Sequence, residues 1–205
     1  MSYWLIRHLC TVGDVKVGGN YAMTMKTAAE ASARGYSQIL WHFCPNEEVT
    51  EVGAMNFFVY WIHPHTGRHE LVTAPLSRHD ILPGVTRSSI LELCRHPSIL
   101  RSNSNNDDDD DTFADHDFDV SERFITMQDI LLASQEDRLL EAFGAGTAAI
   151  VSPISHIQYQ GDDIILPKTP GPLTTKIWKT IVGIQYRTIE YNDSDGENPD
   201  WIMEL

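Results

Sequence analysis

The sequence has few basic residues, and those it has are scattered. Its 15 lysines and arginines are outnumbered by 29 aspartates and glutamates, which gives a formal net charge of -14. Binding to a nucleic-acid backbone requires clustered lysine and arginine side chains. An anionic membrane surface selects for the same clusters. We therefore expect neither a nucleic-acid partner nor a membrane partner.

Cysteines and long apolar runs are also scarce. The three cysteines are far apart and form no CxxC pair, so they predict neither a disulfide framework nor a zinc site. No apolar run approaches the roughly 20 residues that a membrane helix requires. The opening MSYWLIRHLC is too short in its apolar part for a secretory signal and lacks the repeated Arg and Ser of a transit peptide. The expected compartment is the cytoplasm by default, and a mitochondrial location stays open although no targeting segment is seen.

Metal sites receive no support from the two segments that could suggest one. The stretch 101–119 carries five consecutive aspartates, but it lacks the ligand spacing and turn glycine of an EF-hand loop. Its like charges repel, which predicts a solvated insertion loop. His63, His65 and His69 flank a predicted hairpin and are expected to be turn histidines rather than ligands.

The length of 205 residues fits one sizeable domain, and the order of elements predicts its class. The first half predicts a helix over 21–35, with Asn20 as N-cap, and then strands and a helix at 37–43, 50–63, 69–74 and 85–94. The second half predicts a strand over 121–126, a helix from Thr126 to Ala133, a helix over 134–143, apolar and strand segments between 148 and 167, and a helix after Pro172. This irregular alternation indicates a mixed α/β or α+β domain.

Four features of the sequence could carry chemistry. Lys16 lies among small residues in GDVKVGGNY, and Glu51 opens the apolar run EVGAMNFFVYWI. Two glycine-containing turns, at 83–86 and 144–147, could direct backbone N–H groups at an anion. Each feature alone has an ordinary structural explanation. Together they are the groups that a pyridoxal-phosphate site needs: an amine for the imine, a carboxylate for the pyridine nitrogen and main-chain donors for the phosphate.

The order of motifs resembles one enzyme family. GDVKVGGNYA, GYSQILW, EVGAMNFF, ELVTAPL, ILPGVTRSSIL, SERFITM, EAFGAGTAAIVSPI and IQY follow one another as they do in branched-chain amino acid aminotransferases of fold type IV. The resemblance covers nearly everything from Gly13 to Tyr186, apart from the Asp-rich insertion. It implies the large, C-terminal domain of that architecture, a pseudo-barrel sheet with flanking helices. Residues 1–205 would form this single domain.

The resemblance also implies a role for several residues. Lys16 matches the catalytic lysine that forms the imine, Tyr21 the tyrosine that hydrogen-bonds the cofactor's ring oxygen, and Glu51 the carboxylate on the pyridine nitrogen. The remaining matches are to backbone and turn positions around the phosphate and the substrate carboxylate. Val85, Thr86 and Thr147 would lie on the phosphate, and Thr147 with Ala148 would receive the substrate carboxylate.

The activity that the resemblance implies is amino-group transfer from leucine, isoleucine or valine to 2-oxoglutarate, by a homodimer. Four positions depart from the family pattern, one of them Arg187, which replaces the usual glycine after IQY. Ala54 replaces a common threonine near cofactor and substrate, and Ala149 and Ser152 replace the CxxC pair of the animal enzymes, so thiol redox control is not expected.

The family's N-terminal domain supplies an arginine to the phosphate and much of the substrate pocket. Only about a dozen residues precede Gly13, and none is assigned to that arginine. Two alternatives to the aminotransferase therefore stay open. One is a pyridoxal-phosphate-binding fragment without turnover. The other is a fold type IV enzyme acting on D-amino acids or aminodeoxychorismate, although EVGAMNFF and ILPGVTR favour the branched-chain group.

Overall fold

The computed structural model describes residues 15–22, 24–43, 45–96, 100 and 117–189. The helices are α1 (Gly18–Ala22), α2 (Met25–Ala33), α3 (Val85–Arg95), α4 (Met127–Gln135) and α5 (Pro172–Gln185), with a 3₁₀ helix at Leu76–Arg78. The strands are β1 (Leu40–Phe43), β2 (Glu48–Val52), β3 (Met55–Ile62), β4 (His69–Thr73), β5 (Asp119–Glu122), β6 (Leu139–Gly146), β7 (Ile150–Pro153), β8 (His156–Tyr159) and β9 (Asp162–Ile165). Most of the predicted insertion loop, residues 101–116, lies outside the described residues.

A seven-stranded mixed sheet organises the described part of the chain. Strand β3 pairs antiparallel with β2, β4 and β6, while β4 pairs in parallel with β5 and β6 continues antiparallel to β7. Strands β8 and β9 form a separate antiparallel hairpin. This combination of helices with a mixed sheet confirms the predicted mixed α/β class.

Strand β3 lies between two apolar cores because its side chains alternate between the two faces of the sheet. Phe57, Val59 and Trp61 pack on one face with apolar residues of α4, β8 and β9. Phe58 and Tyr60 pack on the other face with residues of α3 and α5. All five are almost completely buried. A strand covered on both faces must be apolar throughout, which explains the uninterrupted run FFVYW.

The single strand predicted over 50–63 is wrong. The chain reverses at Gly53 and Ala54, and β2 pairs back on β3 with Glu51 opposite Asn56 and Val52 opposite Met55. Gly53 has a φ of 59°, in the left-handed region that glycine enters without strain. The apolar residues on both sides of the turn masked this reversal in the sequence pattern.

The helix predicted over 134–143 is also wrong. Helix α4 ends at Gln135, Asp137 takes a φ of 55°, and the chain continues as strand β6. Residues of β6 pair with β3 from Asn56↔Ala145 to Trp61↔Leu139, and this pairing buries Ala142 and Phe143 on opposite faces of the sheet. Tertiary pairing with β3 therefore overrides the helical preference of LLEAF.

The helix predicted over 21–35 is divided in two. Asn20 lies inside α1 rather than at an N-cap, and Thr24 precedes the first residue of α2. Gly35 follows α2 with a φ of 87°, as expected for the glycine that ends a helix. Among the described residues, no helix has both the length and the apolar character needed to cross a membrane.

Local signals predicted the other helices well. Thr126 and Asp129 form the expected capping box at the start of α4, where the Thr126 hydroxyl accepts a hydrogen bond from the Asp129 N–H at 3.1 Å. Helix α3 begins at Val85 and ends at Arg95, close to its predicted bounds. Helix α5 begins at Pro172, where a missing N–H costs nothing because first-turn N–H groups have no partner within the helix.

Candidate active site

The acid predicted to lie at the cofactor is buried at the end of strand β2. Glu51 is 4% exposed, and its Oε1 accepts a hydrogen bond of 3.0 Å from the backbone N–H of Leu82. A buried carboxylate needs such donors, because burial without them strongly disfavours the charged form. Glu51 is therefore a buried acid with a backbone partner, and its role at a cofactor remains a prediction.

Asn56 lies across the hairpin from Glu51 and holds the same residue, Leu82. The Asn56 Nδ2 donates to the backbone oxygen of Leu82 at 2.9 Å, and the N–H of Gly84 donates to that oxygen at 2.9 Å. A Cβ on residue 84 would overlap the Oδ1 of Asn56, so only glycine fits at this position without displacing the amide. The two side chains therefore fix both polar backbone groups of Leu82, two residues before helix α3.

The N-terminus of helix α3 presents unpaired donors beside this anchored turn. Gly84 is its N-cap and offers no side-chain cap. The N–H groups of the first turn, which includes Val85 and Thr86, have no partner within the helix. Val85 is 72% exposed. Exposed N–H groups at the positive end of a helix favour an anion such as phosphate.

The turn between β6 and β7 lies at the same end of the sheet. Ala145 pairs with Asn56, and Gly146 pairs with Ile150, so residues 147–149 form the connecting turn. A Cβ on Gly144 would overlap Val52 and Met55, so this stretch of β6 lies close to the β2–β3 hairpin. Thr147 and Ala148 are both exposed. The fold thus brings Glu51, the start of α3 and the 147–149 turn to one edge of the sheet, although they are distant in sequence.

Lys16 and Tyr21 occupy the first described segment of the chain. Lys16 is exposed, and Tyr21 in helix α1 is half-buried. The Asn20 side chain bonds back to the Val15 oxygen at 3.1 Å. Among the described residues, no hydrogen bond or ion pair joins the Lys16 amine to the Glu51 carboxylate. The structure brings the acid and the two turns together, and the position of Lys16 at the cofactor remains a prediction.

Sequence reasoning missed Asn56 and Leu82. Had the reversal at Gly53 been predicted, the register would have placed Asn56 directly opposite Glu51 and identified it as a site residue. Leu82 contributes only backbone atoms, so no side-chain pattern could have identified it.

A separate cleft of about 360 Å³ lies between the end of α2 and strand β8, and it contains none of the predicted site residues. His42 lines it and is buried, and its Nδ1 has no hydrogen-bond partner among the described residues. Burial lowers the pKa of His42. We locate the candidate site at the edge near Glu51, because the carboxylate and the backbone donors meet there and not in this cleft.

Within the described ranges, no three His, Cys, Asp or Glu side chains are grouped so that they could hold a metal ion. Of the three histidines near the β3–β4 turn, His69 is bonded through Nδ1 to the Tyr60 hydroxyl at 2.6 Å. Burial, with Glu141 nearby, raises the pKa of Tyr60 above its ordinary value.

Comparison with known proteins shows which family the chain resembles. Residues 3–102 match the family "Amino-transferase class IV". The chain is 43% identical over 178 residues to the mitochondrial branched-chain-amino-acid aminotransferase of Schizosaccharomyces pombe, covering 85% of this chain and 38% of that protein. It is 42% identical over 185 residues to the cytosolic enzyme of Saccharomyces cerevisiae, covering 88% of this chain and 45% of that protein.

Solved structures share the fold. The crystal structure of the branched-chain aminotransferase from Thermoproteus uzoniensis with norvaline superposes with a TM-score of 0.63 at 26% identity, covering 90% of this chain and 49% of that one. The chain therefore spans less than half the length of the relatives it matches. Together, the family match over residues 3–102, the identities above 40% and the shared fold show that the chain is similar to class IV aminotransferases over most of its length.

Proposed function

We propose that the chain carries the cofactor-binding part of a branched-chain amino acid aminotransferase, which transfers the amino group of leucine, isoleucine or valine to 2-oxoglutarate with pyridoxal 5'-phosphate. The observation that carries the proposal is the meeting of the buried Glu51 carboxylate with the uncapped start of α3 at one edge of the sheet. The relatives above 40% identity bear the name of this activity, which supports the choice of substrate class.

The residues at this edge fit the cofactor in charge and in shape. Glu51 offers a carboxylate whose Oε1 is already fixed by the Leu82 N–H, which orients the group for a cationic ring nitrogen. The first-turn N–H groups of α3, at Val85 and Thr86, suit a phosphate. Gly84 lets the Asn56 amide pack against this turn, because a Cβ at residue 84 would overlap the Oδ1 of Asn56.

When bound, pyridoxal phosphate supplies an electron sink that stabilises the carbanion left when an amino acid loses its α-proton. The roles of this chain's residues follow. Lys16 would hold the cofactor through its amine and then carry the proton between the substrate α-carbon and the cofactor. Tyr21 would hydrogen-bond the ring oxygen. Thr147 would contact the phosphate, and Thr147 and Ala148 would receive the substrate carboxylate.

The exposure of Lys16 leaves its amine accessible to the aldehyde of the cofactor.

Borohydride trapping of the lysine adduct tests the cofactor assignment. We expect the full chain, incubated with pyridoxal phosphate, to gain a visible absorbance band and to carry the reduced adduct on the peptide with Lys16. Lys16→Ala should lose both. Lys26→Ala is the matched control, because Lys26 is an exposed lysine on α2 that pairs only at the surface with Glu30, at 4.0 Å. A colourless protein, or equal labelling in Lys16→Ala, would contradict the assignment.

Glutamate formation from leucine and 2-oxoglutarate tests the activity itself. Cofactor binding without glutamate formation would instead indicate a binding fragment without turnover. D-alanine, assayed in parallel, distinguishes the branched-chain substrate class from the D-amino acid class.

Assembly and compartment extend the same proposal. The family resemblance supports a homodimer, which light scattering on the purified chain would measure. Relatives of comparable identity carry both mitochondrial and cytosolic names, and cell fractionation would decide between these compartments.

A further inference from the structure

We propose that Asn56 is a positioning residue for the phosphate-binding turn: its amide holds Leu82 so that the first N–H groups of α3 face the phosphate. This inference rests on the proposed function, since it concerns the same cofactor site. Asn56 is uncharged, and its neighbours in the sequence do not indicate such a role. It follows from the hairpin register, which places Asn56 opposite Glu51.

The geometry gives Leu82 two side-chain anchors, one from each strand of the hairpin. Glu51 of β2 accepts the Leu82 N–H at 3.0 Å, and Asn56 of β3 donates to the Leu82 oxygen at 2.9 Å. Both side chains are buried, at 4% and 5% exposure, so water does not substitute freely for either bond. The orientation of the peptide groups around Leu82 is therefore tied directly to the sheet.

The start of α3 is held on its buried side by Arg87, which donates to the Ala74 oxygen at 2.9 Å and to the Glu122 carboxylate at 2.7 Å. The side at Gly84 depends on the turn that Asn56 holds.

Gly84 provides no side-chain cap, and Val85 is largely exposed. Upstream, the loop after β4 is fixed near Asp80, which is buried and pairs with Arg78 at 2.5 Å. Between Asp80 and Val85, Leu82 is the residue that the β2–β3 hairpin holds through both of its backbone polar groups.

The Oδ1 of Asn56 adds a steric restraint on the same turn. It occupies the space that a Cβ on residue 84 would need. The amide therefore holds the Leu82 oxygen and also closes the space beside Gly84, which limits the directions that the Val85 and Thr86 N–H groups can take. A phosphate bound by these groups would be sensitive to Asn56 although the side chain itself bonds Leu82.

Positioning the phosphate site and supporting the fold make different predictions. If Asn56 only supports the fold, its loss weakens the binding of pyridoxal phosphate and of pyridoxal to the same extent. If it positions the phosphate-binding turn, its loss weakens the binding of pyridoxal phosphate only. Pyridoxal, which has the same aldehyde and ring but no phosphate, should bind as before. The comparison of the two compounds is therefore the readout.

The test titrates the full chain with pyridoxal phosphate and, separately, with pyridoxal, following the absorbance of the lysine adduct. Asn56→Ala removes the amide, and Asn56→Ser is a milder second variant whose hydroxyl is too short to replace it. We expect either change to weaken pyridoxal phosphate binding by about three- to tenfold, the effect of one buried hydrogen bond. Pyridoxal affinity should stay within about twofold of the unmodified chain.

Thr73→Val is the matched control. The Thr73 hydroxyl is also buried and donates to a backbone oxygen at 2.7 Å, but that oxygen belongs to Phe57 and not to Leu82. We expect this variant to lose a comparable amount of stability and to bind both compounds as the unmodified chain does.

Equal weakening of both compounds, or unchanged binding of both, in a folded Asn56 variant would overturn the positioning role while leaving the proposed function intact. The positioning role would also be overturned if Thr73→Val weakened the binding of pyridoxal phosphate to the same extent. An unmodified chain that forms no lysine adduct with either compound would overturn both the proposed function and this inference.

Discussion

Glu141 provides the sharpest test of how the fold is held together. It lies on strand β6, is 4% exposed, and accepts three hydrogen bonds from the start of helix α5. Its Oε1 accepts from the Leu173 N–H at 2.9 Å, and its Oε2 accepts from the Thr174 N–H at 2.8 Å and the Thr174 hydroxyl at 2.6 Å. A side chain from a distant strand thus caps a helix that has no cap of its own.

Glu141→Ala should destabilise the chain by about 3–5 kcal/mol, because hydrogen bonds to a charged group contribute roughly 1.5–3 kcal/mol each and are not additive when they share one acceptor group. The N–H groups of Leu173 and Thr174 would be left buried without a partner. Glu141→Gln should cost about 1–3 kcal/mol, since its oxygen can still accept from one residue while its amide faces the donors of the other.

Urea denaturation followed by tryptophan fluorescence measures these differences, and the chain has five tryptophans to report them. Glu136→Gln is the matched control, because Glu136 is an exposed glutamate whose partner is Arg138, and its loss should cost less than about 0.5 kcal/mol. If Glu141→Ala unfolded at the same urea concentration as Glu136→Gln, the buried carboxylate would not be what anchors α5 to the sheet.

Three further predictions follow from the same structure. Gly84→Ala should destabilise the chain by about 1–3 kcal/mol through overlap with Asn56, whereas Gly19→Ala meets nothing within 4 Å; equal melting temperatures for the two would contradict this. Burial raises the pKa of Glu70, but hydrogen bonds from Arg123 and Trp61 outweigh it and bring that pKa below its ordinary value of 4.5. Because the folded state favours the charged form, this stabilisation is present above pH 4.5 and is lost as the pH falls through the lowered pKa. Glu70→Gln should therefore lessen the loss of stability in acid, and urea midpoints that fall in parallel with those of the unmodified chain would argue against it. Burial also raises the pKa of the Cys94 thiol, so iodoacetamide should label the Cys94 peptide in denaturant but not in the native protein, as peptide mass mapping would show; labelling at equal rates would refute this.

The parts of the fold that the sequence predicted correctly depend on neighbours along the chain. Thr126 and Asp129 are three residues apart, and their capping box needs no distant partner. The turn at Gly161 between β8 and β9 and the start of α5 at Pro172 have the same local origin. The parts predicted wrongly depend on distant contacts. Strand β6 was predicted as a helix because its partner, β3, lies about 80 residues earlier in the chain.

The candidate site divides in the same way. The sequence identified Glu51 and the turn at 83–86 by residue type, since a carboxylate before an apolar run and a glycine in a turn are visible without a structure. The turn predicted at 144–147 lies instead at 147–149, because Gly144 and Gly146 belong to strand β6 and pair with β7.

The sequence by itself thus determined the family resemblance, the mixed α/β class, the local caps and the chemical identity of the candidate groups. Only the tertiary structure decided that Glu51, the start of α3 and the 147–149 turn meet at one edge, and that Asn56 and Glu51 share Leu82 between them. The physical reason is that the chemistry of each side chain depends only on the type of the residue, which the sequence gives directly. Strand register and long-range hydrogen bonds are set by which distant segments pair, and burial of both faces of β3 selects that pairing.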